Sequence, residues 1–318
     1  MNPRPEPDYR APVRVMEPVS HPEAFDDPGF LGQVKWDGVR IVAFVAGAVR
    51  LQNRRLFDRT AQYPELSPLA AATRGHRAIL DGEVVVLQQG KPSFPGVLRR
   101  DLAKDARAAG QLARVLPVGY NVFDLLALDA EDLRQSPLED LLQRLGDLLE
   151  PGEAWQVVES FPGHGRELFA AVQRMGLEGV VLKERRSPYT AGKRTRAWLK
   201  VKSFRVESFV LGGVAYRGSQ PASLLLGRYR NDRLWYVGRV GSGLAGSTLQ
   251  NLEQVARELG TRDCPFANRG ALPGRGVLYL RPALTGLVRY LEWTENLQLR
   301  APSWQGFSRA APEECRLE

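Results

Sequence analysis

The sequence predicts an α+β protein of two domains, in which antiparallel sheets with interspersed helices precede a smaller closed β-barrel. The chain has 318 residues, and a typical domain has roughly 100–200. Short apolar strands alternate irregularly with helices up to about residue 204, unlike a regular βαβ pattern. Beyond that point Gly, Pro or Asn-Asp turns separate short strands, and a single helix interrupts them. We therefore expect domains at residues 1–204 and 205–318.

The first domain is expected to begin with an irregular segment, because residues 1–25 are rich in Pro and charge. Apolar runs predict strands at Val39–Val45, Ala48–Asn53, Ala78–Leu87, Tyr120–Leu128, Trp155–Phe161, Gly179–Lys183 and Trp198–Lys202. Asp101–Arg114 is typical of a helix or a charged loop. Ser136-Pro137-Leu138-Glu139 has the pattern of a capping box and predicts a helix to about Leu149, and Gly165–Met175 predicts another that Gly176 ends.

The second domain is expected to be a barrel of the OB type. Its predicted strands cover residues 206–216, 223–230, 233–240, 276–281 and 286–293, and its predicted helix covers 247–259. Five short strands with a helix between the third and the fourth fit that small barrel.

Composition excludes several classes of protein and indicates one kind of partner. The 44 basic and 36 acidic residues give a net charge of +8, which favours a polyanionic partner. No run of about 18 apolar residues predicts a membrane span, and the N-terminal residues lack the apolar core of a secretory signal. Cys264 and Cys315 form no CxxC pair, so we expect no structural zinc site.

Lysine is rare in this chain, whereas arginine is abundant. Lysine occurs only at positions 35, 91, 104, 183, 193, 200 and 202. Codon bias alone would account for this. Alternatively, some lysines are kept because arginine stays protonated and cannot act as a nucleophile, whereas a lysine amine can lose its proton. Four of the seven lie in the motifs below, which favours the second interpretation.

The first motif is Lys35-Trp36-Asp37-Gly38-Val39-Arg40. A surface turn with a charged pair would also explain it. The functional interpretation makes Lys35 a nucleophile that attacks the α-phosphorus of a nucleotide. A free lysine has a pKa of about 10.4, so such a lysine needs burial or neighbouring cations. Arg40 and the lysines at 183, 200 and 202 are the expected cationic neighbours.

Three further motifs place charges on apolar strands. Asp81-Gly82-Glu83 interrupts a strongly apolar strand, where carboxylates need a partner or a metal ion; a β-bulge with solvated carboxylates is the alternative. In Glu178-Gly179-Val180-Val181-Leu182-Lys183, the odd spacing of the two charges puts them on opposite faces, unless the strand bends at Gly179. In Trp198-Leu199-Lys200-Val201-Lys202 the two lysines share a face and would bind phosphate.

In this order the motifs resemble those of the covalent nucleotidyltransferases, which comprise ATP-dependent DNA ligases, RNA ligases and capping enzymes. KWDGVR is similar to motif I, DGE to motif III, VFDLL at Val122–Leu126 to motif IIIa, EGVVLK to motif IV and WLKVK to motif V. The resemblance covers roughly residues 15–310. It implies a nucleotidyltransferase (adenylation) domain followed by an OB-fold domain.

Finer features resemble DNA ligases, most of all the ligase domain of bacterial ligase D of non-homologous end joining. The segment from Arg54 to Leu66 is similar to the DNA-ligase motif Ia, with Asn53 in the place of Ser. Pro92-Ser93-Phe94 and Ser187-Pro188-Tyr189 add to the likeness. The resemblance implies a monomeric enzyme of the bacterial cytoplasm and nucleoid that seals nicked or broken double-stranded DNA. Ku and a polymerase domain or subunit are the implied partners, and no membrane is expected.

The resemblance also implies the roles of individual residues. The implied catalytic residues are Lys35, Asp37, Arg40, Lys200 and Lys202. The implied nucleotide-binding residues are Val34, Lys35, Arg40, Glu83, Phe123, Lys183, Lys200 and Lys202, with Phe123 stacked on adenine; plain core packing is the alternative for Phe123. Glu83 and Glu178 would bind Mg²⁺ or Mn²⁺, ATP would be the nucleotide, and Arg54, Arg55 and Arg300 would contact DNA. The arginine pairs at 54–55, 99–100 and 185–186 are expected to add phosphate contacts.

Two positions depart from the family pattern. Gln33 stands where many relatives have Glu, which would adjust nucleotide contacts. Motif VI normally ends with a basic cluster that orients the pyrophosphate of ATP. Here Leu299-Arg300-Ala301-Pro302 matches the lead-in, but Ser308-Arg309-Ala310-Ala311 replaces the cluster.

Two alternative functions stay open from the sequence. One is an RNA ligase or a capping-type nucleotidyltransferase, which a different nucleotide or an RNA substrate would reveal. The other is a DNA-end-binding module that has lost catalysis through motif VI and would bind nicks without forming an AMP adduct.

Overall fold

The computed structural model describes residues 6–244, 247–273, 276–294 and 296–317, and for residues 247–251 it describes the backbone alone. They form two compact units, of which the first ends at Ser203 and the second begins at Phe204. The assignment of functional domains to residues 1–204 and 205–318 stays a prediction. In the described ranges no helix is both long and apolar enough to cross a membrane.

The first unit is built mainly from strands. The strands are β1 (Glu17–Ser20), β2 (Phe30–Val34), β3 (Val39–Ala46), β4 (Ala48–Asn53), β5 (Ala78–Gln88), β6 (Lys91–Pro92), β7 (Val118–Leu128), β8 (Glu131–Asp132), β9 (Trp155–Val157), β10 (Phe161–Pro162), β11 (Gly179–Glu184) and β12 (Arg194–Lys202). The helices are α1 (Leu69–Ala72), α2 (Phe94–Asp101), α3 (Ala106–Val115), α4 (Leu138–Leu148) and α5 (Gly165–Arg174), and short 3₁₀ turns cover Thr60–Gln62 and Pro64–Leu66.

These strands form two sheets that pack face to face. The first has the order β1-β12-β11-β2-β10, and the second has the order β4-β3-β5-β7-β8, with β6 and β9 at its margins. Neighbouring strands are antiparallel except β1 with β12 and β7 with β9. An apolar cluster that includes Met16, Phe44, Tyr189 and Trp198 fills the space between the sheets. Helices cover the outer faces, so each sheet is buried on both sides.

The predicted strands are confirmed, with one exception. Trp155–Phe161 is not one strand, because β9 ends at Val157 and joins the second sheet, whereas β10 joins the first. The capping-box prediction is also wrong. Pro137 is the N-cap of α4 and no side chain caps that helix. The segment Asp101–Arg114 contains the end of α2 and most of α3, whose N-cap Asp105 accepts a hydrogen bond from the backbone N–H of Ala108 at 2.8 Å.

The second unit is the predicted OB-type barrel. Its elements are β13 (Arg205–Arg217), β14 (Gln220–Arg230), β15 (Arg233–Val240), α6 (Ser247–Leu259), β16 (Gly260–Thr261), β17 (Val277–Leu280), β18 (Thr285–Tyr290) and β19 (Ser303–Phe307). A bridge between Ser242 and Ser303 joins the residues after β15 to β19 and closes the sheet. The sequence missed β16 and β19, which are short and lack an apolar run.

Arg100 is fully buried, so the expectation that it contacts DNA phosphate is wrong. Its guanidinium group binds both carboxylate oxygens of Glu65, at 2.7 and 2.8 Å. It also donates to the carbonyl oxygens of Leu116 and Gln62. These contacts tie α2 to the 3₁₀ turns, which stabilises one wall of the cleft described below.

We predict that Glu65→Ala lowers the free energy of unfolding by roughly 3–5 kcal/mol, because it leaves a buried guanidinium group without its counter-charge. Chemical denaturation followed by circular dichroism measures this loss. Glu131→Ala is the matched control, since it removes an exposed partner of Arg144, and such pairs are worth about 0–1 kcal/mol. Equal midpoints for the two variants would contradict the prediction.

Candidate active site

A cleft of about 720 Å³ opens between the two sheets of the first unit. Most of the site residues expected from the sequence line it, namely Val34, Lys35, Arg40, Arg54, Arg55, Glu83, Phe123, Lys183 and Lys200. These residues come from distant parts of the chain, and the sheet pairing brings them together.

Lys35 lies directly after β2 and forms an ion pair with Glu178. The other carboxylate oxygen of Glu178 binds the Nζ atom of Lys202 at 3.0 Å. The side chain of Glu178 is only 5% exposed. Burial acts to raise the pKa of Glu178, but the adjacent Lys35 and Lys202 ammonium groups outweigh it and hold the pKa below its usual value. Glu178 therefore stays anionic and fixes Lys35, which lines the cleft, and Lys202.

Two glycines let the backbone approach closely around Lys35. Gly179 has φ +152°, and a Cβ there would lie 2.1 Å from the carbonyl oxygen of Val201. The carbonyl oxygen of Gly179 accepts a hydrogen bond from the N–H of Lys35 at 2.9 Å. A Cβ on Gly38 would lie 2.2 Å from the carbonyl oxygen of Val84. The backbone on both sides of Lys35 is thus packed too tightly for larger residues.

Arg40 is held by Asp81 through two hydrogen bonds. Nε and Nη2 of Arg40 lie 2.5 and 2.7 Å from the two carboxylate oxygens, and Tyr189 donates its hydroxyl to the same carboxylate at 2.5 Å. Burial opposes the charge on Arg40, but the Asp81 carboxylate reverses this effect and raises the pKa of Arg40 above its usual value. The pairing of β5 with β7 shifts its register between Asp81 and Gly82, so the β-bulge considered as the alternative is present. Asp81 is nevertheless buried and paired with Arg40, not solvated.

Glu83 faces the cleft beside Arg40, Lys35 and Glu178. Burial raises the pKa of Glu83 to about 7, although the positive charges of Arg40 and Lys35 oppose the shift. Glu178 and Asp81 add to it. This carboxyl group therefore changes its charge close to neutral pH.

Lys183 is almost fully buried between two aromatic rings. Its Nζ atom lies 4.0 Å from the ring centre of Trp198 and 4.4 Å from that of Phe123, and it donates to the carbonyl oxygen of Phe123 at 3.2 Å. Burial lowers the pKa of Lys183 and raises that of the nearby Asp124, and each group partly opposes the shift of the other. Lys183 and Glu178 contact different groups. Glu178 precedes β11, which begins at Gly179, so the two charges do not lie on opposite faces of one strand.

Phe123 is partly exposed to the cleft. The guanidinium carbon of Arg40 lies 4.3 Å from its ring centre, and Trp198 packs edge to face against it at 6.2 Å. The ring is therefore both a packing element and part of the cleft wall.

The mouth of the cleft carries a cluster that the sequence did not reveal. Glu17, in β1, binds Arg54 at 2.7 Å through one carboxylate oxygen and Arg194 at 2.6 Å through the other. Lys200 lies nearby. Partial burial, followed by the charges of Lys202, Lys35 and Arg194, lowers the pKa of Lys200. No sequence motif marks Glu17 or Arg194. The one available signal for Arg194 was that it is a cation on β12, the strand that also carries Lys200.

The loop that carries Arg54 and Arg55 is shaped by Asn53. The side-chain oxygen of Asn53 accepts hydrogen bonds from the N–H groups of Arg55 at 3.0 Å and Phe57 at 3.1 Å. Leu56 adopts the left-handed region with φ 69°. Asn53 therefore directs both arginines towards the cleft.

Four expected residues lie outside the cleft lining. Two of them, Glu178 and Lys202, form the ion pairs described above. Asp37 lies in the turn between β2 and β3. Arg300 lies in the second unit, where it binds Glu292 at 2.5 Å.

Among the described residues, no group of three or more His, Cys, Asp or Glu side chains forms a metal cage. Glu83 and Glu178 are two carboxylates that influence each other, and Mg²⁺ is commonly held by one or two carboxylates together with substrate phosphates. The donor set therefore fits a substrate-assisted Mg²⁺ site.

Family models match most of the chain. The "ATP dependent DNA ligase domain" matches residues 16–202, and the "ATP dependent DNA ligase C terminal region" matches residues 217–310. The two matches coincide with the two units of the structure.

Individual relatives agree with the family models. The multifunctional non-homologous end joining DNA repair protein LigD of Mycobacterium tuberculosis is 38% identical over 279 residues, which are 86% of this chain and 35% of that protein. The chain thus spans about a third of that relative. The crystal structure of the ligase domain of M. tuberculosis LigD is 35% identical, with a TM-score of 0.55, over 96% of this chain and 98% of that one. A mycobacterial DNA ligase D complexed with ATP and MES is 34% identical, with the same TM-score and coverage.

The paired charges in the cleft lead to a stability prediction. Asp81→Asn is expected to lower the free energy of unfolding by roughly 3–5 kcal/mol, because Arg40, which is largely buried, then loses the carboxylate that accepts its two hydrogen bonds. Urea denaturation measures the change. Asp147→Asn, an exposed position on α4, is the control, and an Asp81→Asn midpoint equal to that of the control would show that the pair contributes nothing.

Proposed function

This chain belongs to the ATP-dependent DNA ligase family, and from that premise we propose that it seals nicks in double-stranded DNA through an AMP group carried on Lys35. The observation that supports this most is the position of Lys35 in a cleft with Arg40, Lys183 and Lys200. The Glu178 carboxylate fixes Lys35. The other three residues are cations that could bind phosphate around it.

In the first proposed step, the Nζ atom of Lys35 forms a bond to the α-phosphorus of ATP, and pyrophosphate leaves. Lys35 must first lose a proton and leave its contact with Glu178, because only the neutral amine is a nucleophile. Since the pKa of Glu178 is lowered, we infer that Glu178 orients Lys35 and that the proton lost by Lys35 passes to solvent.

In the second proposed step, an oxygen of the DNA 5′-phosphate takes the AMP group and releases the amine of Lys35. In the third, the oxygen of the 3′-hydroxyl group bonds to the phosphorus of the DNA 5′-phosphate, the hydroxyl proton is lost to solvent, and AMP leaves. Lys200, Lys202 and Arg40 would hold the phosphates, since cations stabilise the charge that develops on the transferring group. Val34 and Phe123 would contact the nucleoside, with Phe123 stacked on adenine. Lys183 would also hold phosphate, and Asp37 would contact the ribose or the metal ion.

Glu83 and Glu178 would hold a Mg²⁺ or Mn²⁺ ion, which would supply charge neutralisation for the phosphates. The charge of Glu178 is balanced by Lys35 and Lys202.

We propose nicked or broken double-stranded DNA as the substrate, contacted by Arg54, Arg55 and Arg300. The relatives named for non-homologous end joining support a role in double-strand break repair, with Ku and a polymerase domain or subunit as partners. The chain spans only 35% of the M. tuberculosis relative, so these partners are part of the proposal. No observation favours an RNA ligase, a capping-type enzyme or a non-catalytic module.

A sealing assay tests the proposed function. A duplex with a single 5′-phosphorylated nick is incubated with ATP and Mg²⁺, and the joined strand is quantified on a denaturing gel. The wild-type chain is expected to join DNA, and Lys35→Ala is expected to join none. Joining of an RNA nick in preference to the DNA nick, or equal joining by Lys35→Ala, would contradict the proposal.

The shifted pKa of Glu83 predicts how adenylylation depends on pH. A carboxyl group with a pKa raised to about 7 keeps its proton below that pH and becomes anionic above it. We therefore expect the single-turnover rate of Lys35 adenylylation, at ATP and Mg²⁺ concentrations well below saturation, to rise as the pH passes through about 7. Rapid quenching from pH 6 to 8.5 measures this rate.

Glu83→Gln separates this effect from the titration of other groups, such as Lys183 and Asp124. The variant is expected to be slower and to lose the rise near pH 7. A wild-type rise that Glu83→Gln retains would show that another group causes it.

The missing basic cluster of motif VI predicts different rates for two steps. Ser308 and Ala310 are fixed by hydrogen bonds to Ser208 and Thr285, and Arg309, between them, is exposed. Because this segment carries one cation, we expect Lys35 to be adenylylated slowly by ATP. Sealing of a nick that already bears AMP is expected to proceed at an ordinary rate, since that reaction involves no pyrophosphate. Fast adenylylation at ordinary ATP concentration would refute this expectation.

A further inference from the structure

The carboxylate of Glu17 bridges two arginines at the mouth of the cleft. Oε1 of Glu17 binds Arg54, from the loop after β4 in the second sheet, and Oε2 binds Arg194, at the start of β12 in the first sheet. The two guanidinium groups thus meet across the cleft with one anion between them. Their side chains are 62% and 59% exposed, whereas that of Glu17 is 26% exposed.

This arrangement has the chemistry of a phosphate site that a protein carboxylate occupies. Arginine guanidinium groups bind carboxylates and phosphates in the same geometry. A phosphate group has enough oxygen atoms to take both arginines, as the carboxylate does. Lys200 adds a third positive charge, because it interacts electrostatically with both Arg194 and Glu17. The three cations line the same cleft as Lys35.

We propose that Arg194 completes the phosphate site of Arg54 and that Glu17 is the internal competitor at this site, which a substrate phosphate displaces. Arg194 is thereby a phosphate-binding residue, and Glu17 is a residue that sets the affinity for phosphate. The hydrogen bond from Arg194 keeps the pKa of Glu17 below its usual value, so the competitor stays anionic at neutral pH. This inference rests on the proposed ligase function.

The alternative is that Glu17 only anchors β1. The backbone N–H of Glu17 already donates to the carbonyl oxygen of Lys193 at 2.9 Å, and β1 pairs with β12 through further backbone contacts. Glu17→Gln keeps the size of the side chain and these backbone bonds, so the variant removes the charge while preserving the anchor.

Binding measurements without ATP or divalent metal test the proposal, because no covalent step then takes place. The full chain is titrated by fluorescence anisotropy with a nicked duplex that bears either a 5′-phosphate or a 5′-hydroxyl group. A second series uses ATP and adenosine, so the two sources of phosphate are distinguished. The variants are Glu17→Gln and Arg194→Gln. The control is Glu131→Gln, which removes the same charge from an exposed pair with Arg144 outside the cleft.

Exposed ion pairs are individually weak, so losing two of them is expected to tighten binding about three- to tenfold. Glu17→Gln should show this gain for the phosphorylated nick, for ATP or for both, with no gain for the 5′-hydroxyl nick or adenosine. Arg194→Gln should weaken the same complexes and reduce the slope of log Kd against log salt by about one when DNA phosphate is the ligand.

The proposal is overturned if Glu17→Gln binds both phosphorylated ligands no better than Glu131→Gln does. It is also overturned if the 5′-hydroxyl nick gains as much as the phosphorylated nick, because that would be a general effect of charge. In either case wild-type sealing would remain, whereas failure of the proposed ligase function would abolish sealing by the wild-type chain itself.

Discussion

The carboxylate of Glu178 joins the parts of the chain on which the candidate site depends. It binds Lys35, which follows β2, and Lys202, at the end of β12. A buried carboxylate needs such partners, because its removal from water is costly. Backbone hydrogen bonds and the two ion pairs of Glu178 therefore hold strands β2, β11 and β12 together at the same place. This contact fixes where the Lys35 amine lies relative to the cleft.

The rest of the cleft follows the same rule that charges removed from water are paired. Arg40 is matched by Asp81, and Lys183 lies between the aromatic rings of Phe123 and Trp198 near Asp124. Positive groups outnumber the carboxylates that face the cleft, so a polyphosphate completes the balance of charge. The mouth of the cleft already has an internal anion, Glu17, in contact with two arginines. A site that binds its own carboxylate in the absence of substrate is expected to exchange it for phosphate.

The sequence allowed the two-domain α+β architecture, the OB barrel and most strand boundaries to be predicted, because strongly apolar runs determine them. The motifs also indicated which charged residues would meet, since Lys35 and Lys200 both proved to line one cleft. Three features could not be predicted. Arg100 looked like a surface cation because burial depends on its distant partner Glu65. Glu17 and Arg194 lack a motif, and only the parallel pairing of β1 with β12 brings them together. Residues 136–139 match the sequence pattern of a capping box, but the helix begins one residue later than that pattern predicts, at Leu138.

Intact-mass spectrometry after incubation with ATP and Mg²⁺ detects the covalent bond between Lys35 and AMP itself rather than its consequences. The wild-type chain is expected to gain the mass of one AMP group, which peptide mapping places on Lys35. Lys35→Ala is expected to gain none, whereas Lys193→Ala should behave as the wild type. An adduct on another lysine, or an adduct that persists in Lys35→Ala, would contradict this expectation.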